Sequence, residues 1–365
     1  MNPHPGQAQQ PPKPKPIQTA GWSPKKLCAE LDKWVIGQDR AKRVISLAVW
    51  NHILRCNEAL KGGGVTDIKK SNVLIIGPTG TGKTHIARTI AKVLGLPIII
   101  ADATEYTEAG YYGKDVEVMV AELLHACDMD VSLCERGIIF IDEMDKVARK
   151  NGGNRTGAGN RDIGGEGVQQ SILKLLEGRK MFVPNNVTQH WNKHDFVEID
   201  TSNILFICAG TFTDVREEIP AGGLGFGVDV ERGKKTRRIS HKQLTDAGMI
   251  SELLGRIPVI VQLDFLEAPD LAQILTDPPD ALVKEYKRLM EIQGVTLDFT
   301  PEAIQAVAAF AYKRKVGARG LRAVMEEVMH DLMFDAVDLE VKTVKVEPSL
   351  VEEKLKGFDS GMLGD

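Results

Sequence analysis

The stretch Val73 to Thr84 reads VLIIGPTGTGKT. The aliphatic run Val73-Leu74-Ile75-Ile76 leads into Gly77-Pro78-Thr79-Gly80-Thr81-Gly82-Lys83-Thr84, which fits G-x-x-x-x-G-K-[ST] at every fixed position. Those residue types make a phosphate cradle. A buried strand ends, glycines let the backbone curl without Cβ clashes, and several N–H groups converge on one anion. The helix that follows, from about Thr84 through Val93, adds the positive end of its dipole. Lys83 supplies a cation for the β- and γ-phosphates, and the Thr84 hydroxyl is placed to ligate Mg²⁺. A plain Gly-rich turn is the competing reading, and the strand–loop–helix context argues against it.

The complementary half is Gly137-Ile138-Ile139-Phe140-Ile141-Asp142-Glu143, a buried strand ending in two carboxylates. In an open α/β sheet such an end lies beside the phosphate loop. Asp142 can hold the water shell of Mg²⁺, while Glu143 can orient and deprotonate an attacking water. On their own the two acids could merely begin a helix, a reading that the upstream phosphate loop argues against. No G-x-S-x-G elbow and no H-E-x-x-H helix is present, so peptidase chemistry finds no candidate residues.

Composition narrows the class. A chain of 365 residues favours more than one domain, and 43% hydrophobic with 26% charged residues is ordinary globular composition. A formal net charge of −4 argues against a general nucleic-acid binder. No run has the apolar length of a membrane span, and no signal-peptide core opens the chain, so a cytoplasmic protein is expected. Cys28, Cys56, Cys127, Cys134 and Cys208 form no C-x-x-C pair, which points to reduced, inert thiols and away from zinc.

The elements that must position these residues follow in order. Residues 1–20 are rich in Pro, Gln and Lys and are expected to form a disordered arm. Ser23-Pro24 opens a helix, Val35-Ile36-Gly37-Gln38 forms a short apolar turn, and a long helix covers Asp39 to Leu60. Further buried strands are expected at Pro97–Ala101, Ile204–Thr211 and Val259–Leu263, with helices at Val116–Cys127 and Val168–Leu176. Glu267–Pro269 reads as a linker into a small α-rich module: helices from Asp280, Pro301 and Gly317, and strands at Val295–Phe299 and Lys342–Val346. The fold class is thus α/β, a parallel sheet between helices followed by a small α+β domain. The divisions are 1–20, 21–266, 267–350 and a flexible tail, 351–365. Two loops carry unusual residues. Gly110-Tyr111-Tyr112-Gly113 sets paired tyrosines between glycines, either packed on the core or exposed. Gly222 to Gly227 carries Leu224-Gly225-Phe226; folded back it joins a core, the reading favoured by the residues alone, and exposed it would plug a pocket on another protein. Val183 to Asp195 reads as a polar loop, whose His190, Trp191 and His194 lack a third ligand at metal spacing.

Together, GPTGTGKT, TEAGYYGKDVE, IIFIDEMDK, GEGVQQSILKLLEG, ILFICAG, LLGRIPV and VGARGLRAV resemble the AAA+ superfamily and, within it, the ClpX unfoldases, over nearly all of Trp22 to Val346. The resemblance implies roles. Val35 and Ile36 match the adenine-contacting turn, Gly77 to Thr84 with His85 the nucleotide loop, and Asp142 and Glu143 the Walker B pair. Arg256 matches the arginine finger that reaches a neighbour's γ-phosphate, and Arg319 the sensor-2 arginine of the small domain. Guanidinium groups suit the charge of phosphoryl transfer. Gly110 to Gly113 matches the substrate-gripping pore loop, with Tyr112 where the family usually has valine. Leu224-Gly225-Phe226 matches the loop that docks on the ClpP peptidase ring, which reverses the fold-back preference.

The resemblance therefore implies an ATP- and Mg²⁺-dependent homo-hexamer that threads unfolded or tagged proteins into ClpP, without zinc, nucleic acid or membrane. A ClpP-independent remodelling chaperone is the alternative, and a nucleic-acid motor is disfavoured by charge and by the aromatic loop. Three departures stand out. The family's N-terminal zinc-binding domain has a proline-rich arm in its place. The second pore loop shows Gln189-His190-Trp191 where the family has Arg-Lys-His. No sensor-1 asparagine ends the Ile204 strand.

Overall fold

The computed structural model describes residues 15–62, 66–107, 114–148, 165–184, 196–213, 215, 228–229, 236–337 and 343–358. Aliphatic runs form its central sheet: β1 (Val73–Ile76), β2 (Ile98–Asp102), β3 (Ile138–Asp142), β4 (Leu205–Gly210) and β5 (Val259–Gln262). The order across the sheet is β5-β1-β4-β3-β2, and every neighbouring pair is parallel. β1 and β4 are buried along their whole length. A parallel sheet covered on both faces needs that continuous apolar character rather than alternation.

Side chains still alternate between the two faces. Val73, Ile75, Ile138, Phe140, Leu205 and Ile207 enter one core, which is closed by helices α1 (Pro24–Asp32), α2 (Asp39–Lys61) and α3 (Lys83–Leu94) through Leu27, Leu31, Ile45, Val49, Ile53, Ile86 and Ile90. Leu74, Ile76, Ile139, Ile141, Phe206 and Cys208 enter the other, which is closed by the helix Val118–Ala126 and by α4 (Glu166–Glu177). α1 begins as its sequence predicts: Ser23 Oγ accepts from Lys26 N at 3.2 Å and Pro24 opens the helix.

Among the described residues, a separate core draws only on the span from Leu266 to Phe358. It joins α5 (Ala268–Thr276), α6 (Leu282–Ile292), α7 (Pro301–Lys313), α8 (Gly317–Phe334) and α9 (Pro348–Leu355) to a parallel pair of strands, Thr296–Phe299 and Thr343–Val346.

The structure corrects the sequence reading at four places. Residues 15–19, assigned to the disordered arm, are pinned: Ile17 exchanges backbone bonds with the Asn57 amide at 2.8 and 2.9 Å, and Lys15 O accepts from Arg136 at 2.5 Å. Glu267–Pro269 is a helix start rather than a linker, because Glu267 and Asp270 form a reciprocal capping box around Pro269. Val183 and Pro184, read as loop, end a strand (Lys180–Pro184) paired antiparallel with Phe196–Asp200. Residues 351–358, read as flexible tail, belong to the small core through buried Val351, Leu355 and Phe358, spaced for one face of a helical turn and its exit.

Phe358 meets Phe310 edge to face with centroids 6.2 Å apart, and its carbonyl accepts from Arg314 at 3.1 Å. Phe358→Ala is therefore expected to destabilise the small domain by about 3 kcal/mol, read as a lowered Tm. An unchanged Tm would return these residues to the tail.

Candidate nucleotide-binding and hydrolysis site

The phosphate loop leaves the sheet where β1 ends. Gly77 N donates to Gly210 O at 3.2 Å, extending the β1–β4 pairing by one residue. A Cβ on Gly77 would stand 2.8 Å from Leu263 Cβ, so the loop turns there only with glycine. Gly80 and Gly82 take φ of +77° and +95°. Thr81 Oγ1 donates to Pro78 O at 2.7 Å, and Lys83 Nζ donates to Gly77 O at 2.8 Å and Pro78 O at 3.1 Å. The lysine cation thus lies within the curl of its own loop.

The two sequence blocks meet directly. Thr84 Oγ1 donates to Asp142 Oδ2 at 2.8 Å. This follows from topology: β1 and β3 flank β4 and run the same way, so their C-terminal ends open on one edge of the sheet. Asp142 Oδ1 accepts from Glu143 N at 2.9 Å. Glu143 holds a left-handed φ of +58° and is exposed, so its carboxylate stands clear of the strand end. Partial burial raises its carboxyl above the ordinary value, and the like charges of Asp102 and Asp142 add to that.

A magnesium triphosphate fits this donor set. Thr84 and Asp142 present hard oxygen donors to each other, the chemistry Mg²⁺ takes. Glycine-bearing backbone, a helix N-terminus and Lys83 meet at the same edge, as a phosphate chain requires. Among the described residues, no three His, Cys, Asp or Glu side chains gather as a metal cluster. Nor is any helix there long and apolar enough to cross a membrane.

Beside this edge lies the turn between α1 and α2. Val35 is buried and Ile36 half-buried. His85, expected among the nucleotide contacts, has its Nε2 3.2 Å from Trp34 O, which ties α3 to that turn. Lys42, itself buried, donates to Val35 O at 3.1 Å.

The small domain reaches the same loop through backbone. Ala318 N, at the start of α8, donates to Gly80 O at 3.0 Å. A Cβ on Gly317 (φ +60°) would lie 3.2 Å from Gly80 Cα, Gly80 O and Thr79 O. Arg319 lies in that first helical turn and is exposed. Gly317→Ala combines a strained φ with a contact that forces the two backbones apart. It is expected to weaken ATP binding about tenfold, for a strain of roughly 1–2 kcal/mol, measured by titration with a fluorescent nucleotide. Wild-type affinity would mean that the contact does not bear on the site.

Arg256 lies elsewhere. It caps the short helix Ser251–Gly255, and its carbonyl accepts from Asn72 Nδ2 at 2.9 Å. Asn72 immediately precedes β1, so this contact is separated from the phosphate loop by the length of a 4-residue strand, about 13 Å. The exposed Arg256 side chain turns to Glu177 Oε1 at 2.9 Å. It is out of reach of its own chain's loop.

The remaining candidate residues, Gly110 to Gly113, Gln189-His190-Trp191 and Leu224-Gly225-Phe226, lie outside the described residues. The chain around the first is fixed by Tyr106–Thr107 pairing with Lys114–Asp115 and by Lys114 bridging Glu105 and Glu122 at 3.1 Å each. That around the second is fixed by the antiparallel strands Lys180–Pro184 and Phe196–Asp200. Sequence reasoning missed Asn72, Lys42 and Gln38. Each is a polar residue buried in the structure, and their types alone gave no sign of that.

Comparison with known proteins agrees with the fold. The family model described as AAA domain (Cdc48 subfamily) matches residues 68–260, and that of the C-terminal, D2-small domain of ClpB protein matches residues 266–346. The ATP-dependent Clp protease ATP-binding subunits ClpX from two strains of Porphyromonas gingivalis are each 41% identical over 334 residues, covering 89% of this chain and 80% of theirs. With 41% identity over 89% of its length, the chain belongs to the ClpX family of AAA+ ATPases.

Proposed function

We propose that this chain is an ATP-driven protein unfoldase that works as a ring hexamer in the cytoplasm and feeds substrate chains into a ClpP peptidase. The observation that carries the reading is the meeting of three elements at one sheet edge: the Lys83 loop, the Thr84–Asp142 pair and the N-terminus of the small domain's α8. The boundary near residue 266 separates the two bodies that move.

ATP with Mg²⁺ supplies a phosphoanhydride whose cleavage is strongly favourable. This chain's residues do the rest. The glycine-rich loop and Lys83 hold the β- and γ-phosphates, while Thr84 and Asp142 hold the magnesium shell. Glu143 orients a water and accepts its proton. Arg256 of one subunit completes the neighbour's site, neutralising charge at the terminal phosphate. Arg319 carries the state of the phosphates into α8, and so into the small domain. Val35 and Ile36 seat the base. Tyr111 and Tyr112 press on whatever side chain occupies the axial channel, which gives traction without sequence preference. With Gln189-His190-Trp191 in the second loop, selection of tails by their terminal carboxylate is weaker than two cations would make it.

The relatives' name, a Clp protease subunit, sides with proteolytic coupling over a free-standing remodelling chaperone. Deleting Leu224-Gly225-Phe226 is expected to abolish degradation of a folded substrate by a mixture with ClpP while ATP hydrolysis continues. Degradation that survives the deletion would remove this loop from the docking role.

A further inference from the structure

Leu263 is packed in the large domain and Leu266 in the small one, so residues 264–265 form the joint between them. The side chain that grips this joint comes from a distant part of the sequence. Gln38 is 6% exposed and held at φ +57°. Its Nε2 donates to Asp264 O at 2.9 Å, and its Oε1 accepts from Asp264 N at 2.9 Å. Both ends of one amide are committed to both backbone groups of one joint residue. Alanine would lose both bonds. A carboxylate would keep the acceptor and set a negative charge against the Asp264 carbonyl.

Gln38 also ends the turn that carries Val35 and Ile36. The rest of that turn is immobilised from other directions. His85 of α3 meets Trp34 O, and buried Lys42, paired with Asp32 and Asp39, holds Val35 O. Movement imposed on this turn therefore has a direct polar route to the joint through Gln38. A left-handed backbone at a glutamine is an uncommon conformation, kept here with both side-chain bonds made.

We infer that Gln38 is a positioning residue that couples occupation of the Val35–Ile36 turn by a nucleotide base to the angle between large and small domains. The inference rests on the nucleotide reading above and adds a route that Arg319, on the phosphate side, does not provide. Coupling is reciprocal, so the joint's setting also biases nucleotide affinity.

The test uses the full chain with Cys28→Ser, since the other cysteines are buried. Dyes are placed at Lys61→Cys and Arg288→Cys, one exposed position on each domain, and the labelled chain is diluted into unlabelled chain. Energy transfer is followed as ATPγS is added. The parent is expected to show a nucleotide-dependent change, and Gln38→Ala to lose more than about half of it, with affinity weakened about fivefold. Gln38→Glu should resemble Gln38→Ala at about pH 8 and recover toward about pH 6, where a protonated carboxyl again offers both a donor and an acceptor. A merely structural role would not give pH rescue in one variant and none in the other. If Gln38→Ala matches the parent, or if both variants share one pH profile, the inference is overturned while the nucleotide site stands. If the parent itself binds no ATPγS, the site reading falls and the inference with it.

Discussion

Glu143→Gln is expected to stop ATP turnover while ATP stays bound and rings stay assembled. The substitution keeps the shape of a side chain that stands exposed at the strand end, with its backbone fixed by Asp142 Oδ1. Under the proposed mechanism it removes the group that takes a proton from the attacking water. Loss of a positioned base lowers the rate by about 100- to 10,000-fold. Lys83, Thr84 and Asp142 are untouched, so binding survives. The wild-type pH profile gives a second check. The Glu143 carboxyl is raised by burial first, then by Asp102 and Asp142, and as the proposed base it would act only when deprotonated. Turnover should therefore fade as pH drops through a value above the ordinary one for a glutamate, and this limb should be missing from any residual activity of the variant. Undiminished hydrolysis by Glu143→Gln would take that residue out of the chemistry.

Arg256→Ala is expected to cost about a thousandfold in turnover, the scale of an arginine finger, although the residue lies far from its own phosphate loop. The competing account is the ion pair with Glu177, made between exposed side chains. Such a pair is worth at most about 1 kcal/mol, and Glu177→Gln would then do as much harm as Arg256→Ala. Mixing separates the accounts. In rings built from Arg256→Ala and Glu143→Gln chains, some interfaces join an intact Glu143 to an intact Arg256. Hydrolysis should reappear in the mixture although each variant alone has lost it. A mixture no more active than the sum of its parts would deny that Arg256 acts across subunits.

Much of this was legible because the nucleotide edge is built from local signals. Uninterrupted aliphatic runs mark strands buried on both faces, and glycines mark where the backbone must curl. Parallel strands then bring Thr84 and Asp142 together, 58 positions apart in sequence. Long-range polar pairing left no such trace. Nothing in the types of Gln38 and Asp264, or Asn72 and Arg256, announces that one grips the other's backbone. The Gly80–Gly317 approach was equally silent, since either glycine alone reads as a turn or a helix start. Phe182 and Phe196 are exposed on their paired strands, so the outward-polar alternation that would have marked those strands is missing. The final segment was hidden by a charged, glycine-containing sequence whose Phe358 finds its place only against Phe310.

The most direct measurement mixes the chain with ClpP and a fluorescent protein whose signal depends on its fold, extended by an unstructured tail, with and without ATP. Loss of fluorescence that requires ATP, survives omission of ClpP as slower unfolding, and disappears with Glu143→Gln is the predicted result. Steady hydrolysis of ATP with the fluorescent protein left folded under every condition would contradict the account.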